Sequence, residues 1–266
     1  MIHDDLAVNN RLMRMLMKQR LLDRSMVLLY TAVVIFLYSG FIIGKDMLVS
    51  MKKDAQDTYD YEALQMKITI APFDQLKPPC YDAEALRREN PDFKGWLQIP
   101  DMEISLPVVQ GTNNAYYLKH SFSKSYSSYG CLFLEHDTTD TDQNLVIHGH
   151  NMGMNREEMF STLVNYQDQE FADVHKTIFY SDPDKPGKER YTLFAVLNLD
   201  IQNKDGFQYR QQAFTDEEFF HEYIAYLKKN SIYESEYVPT GETIILSTCN
   251  RSFGESNRLL ICAGRN

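Results

Sequence analysis

The residue of this chain best placed to do chemistry is a cysteine at the end of an apolar run. Thr243 to Leu246 leads into Ser247-Thr248-Cys249, and nine residues after the cysteine Arg258 opens a second apolar run, Leu259 to Ala263. Upstream, Leu145-Val146-Ile147 runs into His148-Gly149-His150-Asn151. A thiol, an imidazole and a fixed cation at strand ends are the components of cysteine-based acyl transfer. A free thiol titrates near ~8.5 and an imidazole near ~6.5, so at neutral pH the thiol needs a base or a cationic neighbourhood to react. Histidine supplies either, and can later protonate a leaving amine. Arginine stays charged and presents a planar fork of donors to a developing oxyanion or to a substrate backbone.

Each of these residues also has a plainer account. A cysteine is often a small buried hydrophobe. An arginine that opens a strand is commonly solvated or paired with a surface carboxylate, here Glu255. His148 and His150 stand two apart on a strand and are expected to point to opposite sides, so that one lines a site and the other is ordinary. The conjunction of the three residue types raises the chemical reading above the plain one.

The elements that must position them are short strands. They are expected at Ser105 to Val109, Gly130 to Leu134, Asn144 to His148, Thr177 to Tyr180, Tyr191 to Leu199, Glu242 to Thr248 and Arg258 to Ala263. Met159 to Phe171 reads as a helix with Phe160, Leu163, Val164 and Phe171 on its apolar side. Thr215-Asp216-Glu217-Glu218 has the form of a capping box and opens a helix to about Lys229. On that helix Phe219, Phe220, Tyr223, Ile224 and Leu227 recur at helical spacing and read as core packing. The expected class is mainly β with added helices.

These residues resemble the sortase family, and within it class B. Against the family pattern Thr-Leu-x-Thr-Cys, this chain matches Leu246, Thr248 and Cys249, with Ile245 in place of the first threonine. The family histidine follows a glycine, which selects His150 over His148, and the family arginine opens the strand after the cysteine, which selects Arg258. Gly95-Trp96-Leu97-Gln98-Ile99-Pro100 and Leu106-Pro107-Val108-Val109-Gln110-Gly111 look like opening strands of the family barrel. Asn114-Ala115-Tyr116-Tyr117-Leu118 resembles the class B segment that follows. The likeness covers roughly residues 85 to 264, and its motifs stand in the family order.

The resemblance implies a closed sortase-type β-barrel and a transpeptidase. Cys249 would attack a threonine carbonyl inside a C-terminal sorting signal on an exported protein. His150 would act as base and acid, and Arg258 would hold the oxyanion or the substrate. An amine of the cell wall, or a pilin lysine, would resolve the thioester, which points to a Gram-positive envelope. Asn114, Ser247 and Thr248 would line the substrate groove. No cofactor is implied, and the class B likeness gives no reason to expect the calcium of class A members.

Composition agrees with an exported enzyme. The chain has 27 basic and 37 acidic residues, a formal charge of −10, and no basic cluster after residue 55, so nucleic acid is not an expected partner. Four cysteines (Cys80, Cys131, Cys249 and Cys262) are too scattered for a disulfide scaffold. None has metal-ligand spacing, so no metal is expected.

Met26 to Gly44 is 19 residues without a charge, enough to span a bilayer core. Arg11, Arg14, Lys18, Arg20 and Arg24 precede it, which puts the N-terminus in the cytoplasm and the rest outside. The apolar stretch is longer than a signal-peptide core and is followed by no small-x-small cleavage site, so an uncleaved anchor is expected. The organisation read from the sequence is therefore a cytoplasmic segment 1–25, a transmembrane anchor 26–44, a stalk 45–82 and a catalytic domain 83–266. Two other functions use the same residues: a membrane-anchored cysteine peptidase with water as acceptor, and a non-enzymatic surface receptor with an ordinary thiol at Cys249. Papain-like enzymes place the cysteine before the histidine, the reverse of the order here.

Overall fold

Period-two alternation along the strands sends one set of side chains inward and the other outward, and both sets are covered. The computed structural model describes residues 2–68, 77–102, 104–153, 156–202, 207–250 and 256–266. In chain order the elements are α1 (Ile2–Ile68), α2 (Ala83–Glu89), β1 (Phe93–Ile99), β2 (Ile104–Val109), β3 (Leu132–Leu134), β4 (Asn144–His148), α3 (Gln169–Val174), β5 (Thr177–Ser181), β6 (Arg190–Asp200), α4 (Glu217–Lys229), β7 (Thr243–Cys249) and β8 (Asn257–Gly264). Short 3₁₀ turns occupy Tyr116–Leu118 and Ser161–Gln167.

The chain divides into two units, 1–55 and 56–266. In the first, the segment Met26–Lys52 is long and apolar enough to cross a membrane. In the second, eight strands among the described residues close into one barrel in the order β1-β2-β3-β4-β7-β8-β6-β5. The β2–β3 and β4–β7 pairs are parallel; the others are antiparallel.

The barrel interior holds Leu97, Val108, Leu132, Ile147, Leu246 and Ile261 within one continuous apolar cluster. Val146, Ile245, Leu260 and Cys262 point outward and are covered by Phe220, Tyr223, Ile224 and Leu227 of α4. A third cluster seats Leu86 of α2 against Phe93, Trp96 and Phe133. The register of β6 shifts between Leu193 and Ala195. This lets Leu193 and Val196 both join the interior cluster, where unbroken alternation would separate them.

The seven strands expected from the sequence form within two residues of their anticipated ends. The single helix expected over Met159 to Phe171 does not. Met159 adopts φ 55°, outside the helical region. Asp168 is extended (φ −88°, ψ 124°) and caps α3 by accepting from the Phe171 amide at 3.0 Å. The segment is thus a 3₁₀ turn and a separate short helix. On α4 the cap is Asp216 rather than Thr215: its carboxylate accepts from the Phe219 amide at 2.9 Å. Of the expected stripe, Phe220, Tyr223, Ile224 and Leu227 are buried, while Phe219 is exposed.

Candidate active site

The parallel pairing of β4 with β7 brings the C-terminal ends of both strands to the same rim of the barrel, with His148 opposite Ser247. The antiparallel neighbour β8 must start at that rim, which places Arg258 directly opposite Cys249. β6 ends there as well, with Leu199 opposite Arg258. Topology alone therefore collects a thiol, a guanidinium and the His148–His150 segment from strands distant in sequence.

The strand ends are tied together laterally. The Gly149 amide donates to the Ser247 carbonyl at 3.2 Å. The Thr248 hydroxyl donates to the Gly149 carbonyl at 2.8 Å. Asn151 Nδ2 donates to the Cys249 carbonyl at 3.1 Å. Past the cysteine, the Asn250 amide donates to the Asn257 carbonyl at 2.9 Å, and Asn250 Nδ2 donates to Asn198 Oδ1 at 2.6 Å.

A cleft of about 420 Å³ opens on this rim. Asn114, His148, His150, Ser247, Thr248, Cys249 and Arg258 all line it, so every residue singled out from the sequence reaches the same cavity. Its opposite wall is the connector between β6 and α4, where Phe207, Tyr209 and Arg210 face the cleft. That connector is pinned to the barrel and to α4: Asn144 Nδ2 donates to the Gln211 carbonyl at 2.7 Å, and the Tyr223 hydroxyl of α4 donates to the Tyr209 carbonyl at 2.6 Å.

One expectation needs correction. His148 and His150 do not face opposite sides; both line the cleft. Residues two apart on a strand share a face, so alternation does not set His148 aside. The two histidines differ instead in their partners. His150 Nε2 lies 2.8 Å from the Leu118 carbonyl, an acceptor, so that nitrogen carries a proton. His148 Nε2 lies 2.7 Å from Glu135 Oε2, and its ring stacks on Phe133. Thr248 lines the cleft and donates its hydroxyl proton to the Gly149 carbonyl. Thr248 thereby joins the cysteine strand to the histidine strand.

Ser247 is a different case. It is buried, and its Oγ has no hydrogen-bond partner among the described residues. A buried polar atom facing a cleft without a partner is suited to a ligand that brings one. Asn114 is fixed at both ends of its amide: Nδ2 donates to Glu135 Oε1, and Oδ1 accepts from the His136 amide at 2.8 Å. Arg258 Nη1 donates to the Asn257 carbonyl at 3.2 Å. Its sequence-level alternative partner, Glu255, lies outside the described residues.

Sequence reasoning missed Glu135, Arg210 and the Leu118 carbonyl. Glu135 abuts the apolar strand Leu132-Phe133-Leu134 directly and is 4% exposed, an arrangement that needs partners for a charged group. Burial works to raise its pKa, but the hydrogen bond and charge of His148, with Arg210 and Asn114, outweigh that and hold it below the ordinary glutamate value.

All four cysteines are free. Cys131 and Cys262 are buried and Cys80 is exposed, and burial pushes the Cys262 thiol far up. Cys249 is half-buried and is the one of the four that lines the cleft with the two histidines. Among the described residues Glu135, His136 and Asp137 lie close enough to share a cation, yet Glu135 already serves His148, Asn114 and Arg210.

A closed barrel that gathers a thiol, imidazoles and a guanidinium on one rim has the components of a cysteine-dependent acyltransferase. Comparison with known proteins gives the family. Residues 97–266 match the sortase domain. The chain is 30% identical to sortase B of Listeria monocytogenes over 227 residues, 81% of this chain and 85% of that protein. It is 24% identical to sortase B of Staphylococcus aureus over 93% of this chain and 97% of the relative. A solved Staphylococcus aureus sortase B–substrate complex superposes with a TM-score of 0.67 at 22% identity, covering 80% of this chain and 97% of that one. The chain belongs to the sortase family. It is a sortase-type cysteine transpeptidase of the class B kind, and the closed barrel expected from its motifs is the one observed.

Proposed function

We propose that this transpeptidase cleaves a C-terminal sorting signal after threonine and joins the protein to an amine of the cell wall or to a pilin lysine. The observation that carries the assignment of roles is the convergence of Cys249, His150 and Arg258 on one cleft of a sortase barrel.

Cys249 Sγ attacks the threonine carbonyl carbon, and Arg258 donates to the oxygen as it gains charge. His150, having taken the Cys249 thiol proton, passes it to the departing amine as the peptide C–N bond breaks, and a thioester remains on Cys249. The acceptor amine then attacks the thioester carbonyl. His150 takes its proton, an amide bond forms as the C–S bond breaks, and His150 returns the proton to the released Cys249 thiolate. With Nε2 held on the Leu118 carbonyl, neutral His150 presents Nδ1 as the base. Ser247 Oγ, Asn114 and Thr248 line the groove that receives the peptide, and Thr248 also joins the two strand ends.

The apolar segment of α1 anchors the enzyme, with the five basic residues before it on the cytoplasmic side and the catalytic domain outside. Sortases are cell-surface enzymes, and the candidate span suits that location. Protease added to intact protoplasts should remove the region after residue 45 and leave a small protected N-terminal fragment. A mature protein beginning after residue 44 would contradict the anchor.

The acyl-transfer reading is tested by mass spectrometry of the purified protein with a library of threonine-containing sorting-signal peptides and an amine acceptor. The expected result is an acyl adduct on Cys249 that the amine resolves, absent in Cys249→Ala. An adduct on Cys131, or activity retained in Cys249→Ala, would remove the assignment. Release of free acid at equal rate with and without amine would identify a peptidase instead.

A further inference from the structure

We propose that Glu135, which the cleft does not expose, is a positioning residue for the transfer reaction: one buried carboxylate holds Asn114, His148 and Arg210 on three walls of the cleft in their peptide-receiving arrangement.

Glu135 Oε1 accepts from Asn114 Nδ2 on the segment after β2, and from Arg210 Nη1 at 3.4 Å on the β6–α4 connector. Its Oε2 accepts from His148 Nε2 at 2.7 Å at the end of β4. All three partners line the cleft and Glu135 does not, so its influence on a bound peptide passes through them. A carboxylate this buried is tolerated only while its donors stay in place, so the dependence is mutual. Losing the charge releases the three walls, and moving a wall strands the charge.

The arrangement also selects what Asn114 can offer. Its amide is held from both ends, by Glu135 at Nδ2 and by the His136 amide at Oδ1. One N–H and one carbonyl lone pair remain for a ligand, the pair that an extended peptide backbone presents in return. Arg210, its side chain 52% exposed, is steered toward the same corner by the carboxylate. Leu118, Leu199 and Phe207 add apolar surface to the cleft. This polar corner therefore registers the peptide relative to Cys249 and takes no part in bond making.

The proposal rests on Cys249 being the nucleophile, and the measurements separate the two. The full-length protein in detergent is assayed with the library peptide that the wild type cleaves fastest, and Cys249 is separately alkylated with iodoacetamide. Glu135→Gln keeps the size but puts a donor where donors already point. It should raise KM at least tenfold, with kcat and the alkylation rate within about threefold of wild type, and Glu135→Asp should recover part of the loss. In a double-mutant cycle with Asn114→Ala, the combined variant should be no worse than the worse single one.

An unchanged KM in folded Glu135→Gln overturns the proposal. So does a parallel fall of kcat, alkylation rate and melting temperature with KM untouched, which marks a merely structural carboxylate. If Glu135→Gln does not fold, Asn114→Ala and Arg210→Gln, each of which leaves the His148 pair intact, must raise KM; two unchanged values overturn it. Wild-type protein that forms no adduct on Cys249 sinks the acyl-transfer reading, and this proposal with it, before any variant is compared.

Discussion

The hydroxyl of Thr248 donates to the carbonyl of Gly149 across 2.8 Å, joining the residue before the cysteine to the residue before the histidine. Both groups sit where β4 and β7 run parallel to the rim, so one hydrogen bond helps set the spacing of two reactive side chains. Thr248→Val keeps the shape and removes the donor. A fully buried acceptor left unpaired costs about 1–3 kcal/mol, and this one is part-buried, so the loss falls toward the low end of that range. Denaturant unfolding should show a loss of that order, and turnover should fall by more than the folded fraction explains. Thr248→Ser, which restores the donor, should recover most of both; full activity in a folded valine variant would dismiss the tie.

Gly149 answers to packing. A Cβ there would lie 2.5 Å from Leu132 Cδ2 and 2.6 Å from Phe160 Cδ2, both buried in the main core. Gly149→Ala should therefore destabilise by about 1–3 kcal/mol, the usual range for overpacking, and should displace His150. Melting curves and turnover of the alanine variant check this. A wild-type melting temperature would mean that the core yields without penalty.

For the two histidines the expected losses differ in kind. His150→Ala removes the proton-transfer group and should lower kcat by ~10²–10⁴. His148→Ala leaves Glu135 short of its 2.7 Å partner and should act mainly on KM and stability. Steady-state kinetics of both variants separates the two effects, and an equal fall in kcat at both positions would defeat the assignment.

Strand positions and the three-residue constellation were legible because they rest on local signals: apolar runs, a cysteine at one end, an arginine at the start of the next. The closed order of the barrel was legible only through the likeness to a family, since strand pairing between residues as distant as Val146 and Ile245 leaves no local trace. Helical periodicity misled over Met159 to Phe171 because a positive φ at Met159 and the Asp168 cap override an apolar spacing that a 3₁₀ turn fills equally well. Glu135 and Arg210 escaped notice because their meeting depends on the β6–α4 connector folding back over β4, 75 residues along the chain.

Acid stability should report on Glu135. Its pKa is held below the ordinary 4.5 in the folded protein, so the unfolded chain binds the proton more readily. The stabilisation is complete above the unfolded value and is lost as the pH falls through 4.5 toward the folded value. Melting temperature against pH should therefore drop on the acid side in the wild type and more shallowly in Glu135→Gln. Parallel curves would assign the acid limb to other carboxylates.

Arg258 tests whether geometry or charge matters at the rim. It stands opposite Cys249 in the β7–β8 ladder and lines the cleft. A guanidinium offers two parallel donors in a fixed fork, whereas an ammonium is a single point charge. Arg258→Lys keeps the charge and should remain badly impaired, and Arg258→Ala should be worse. Removing one oxyanion donor typically lowers turnover by ~10²–10³. If Arg258 served only as half of an exposed surface pair, its contribution would be ~0–1 kcal/mol, and the lysine variant would be nearly silent in rate and stability alike. Kinetics of Arg258→Lys measured beside its melting temperature decides the matter: wild-type turnover in a normally folded variant would take the arginine out of the catalytic set. A fall in kcat of at least tenfold at unchanged melting temperature would place it beside the reacting carbonyl.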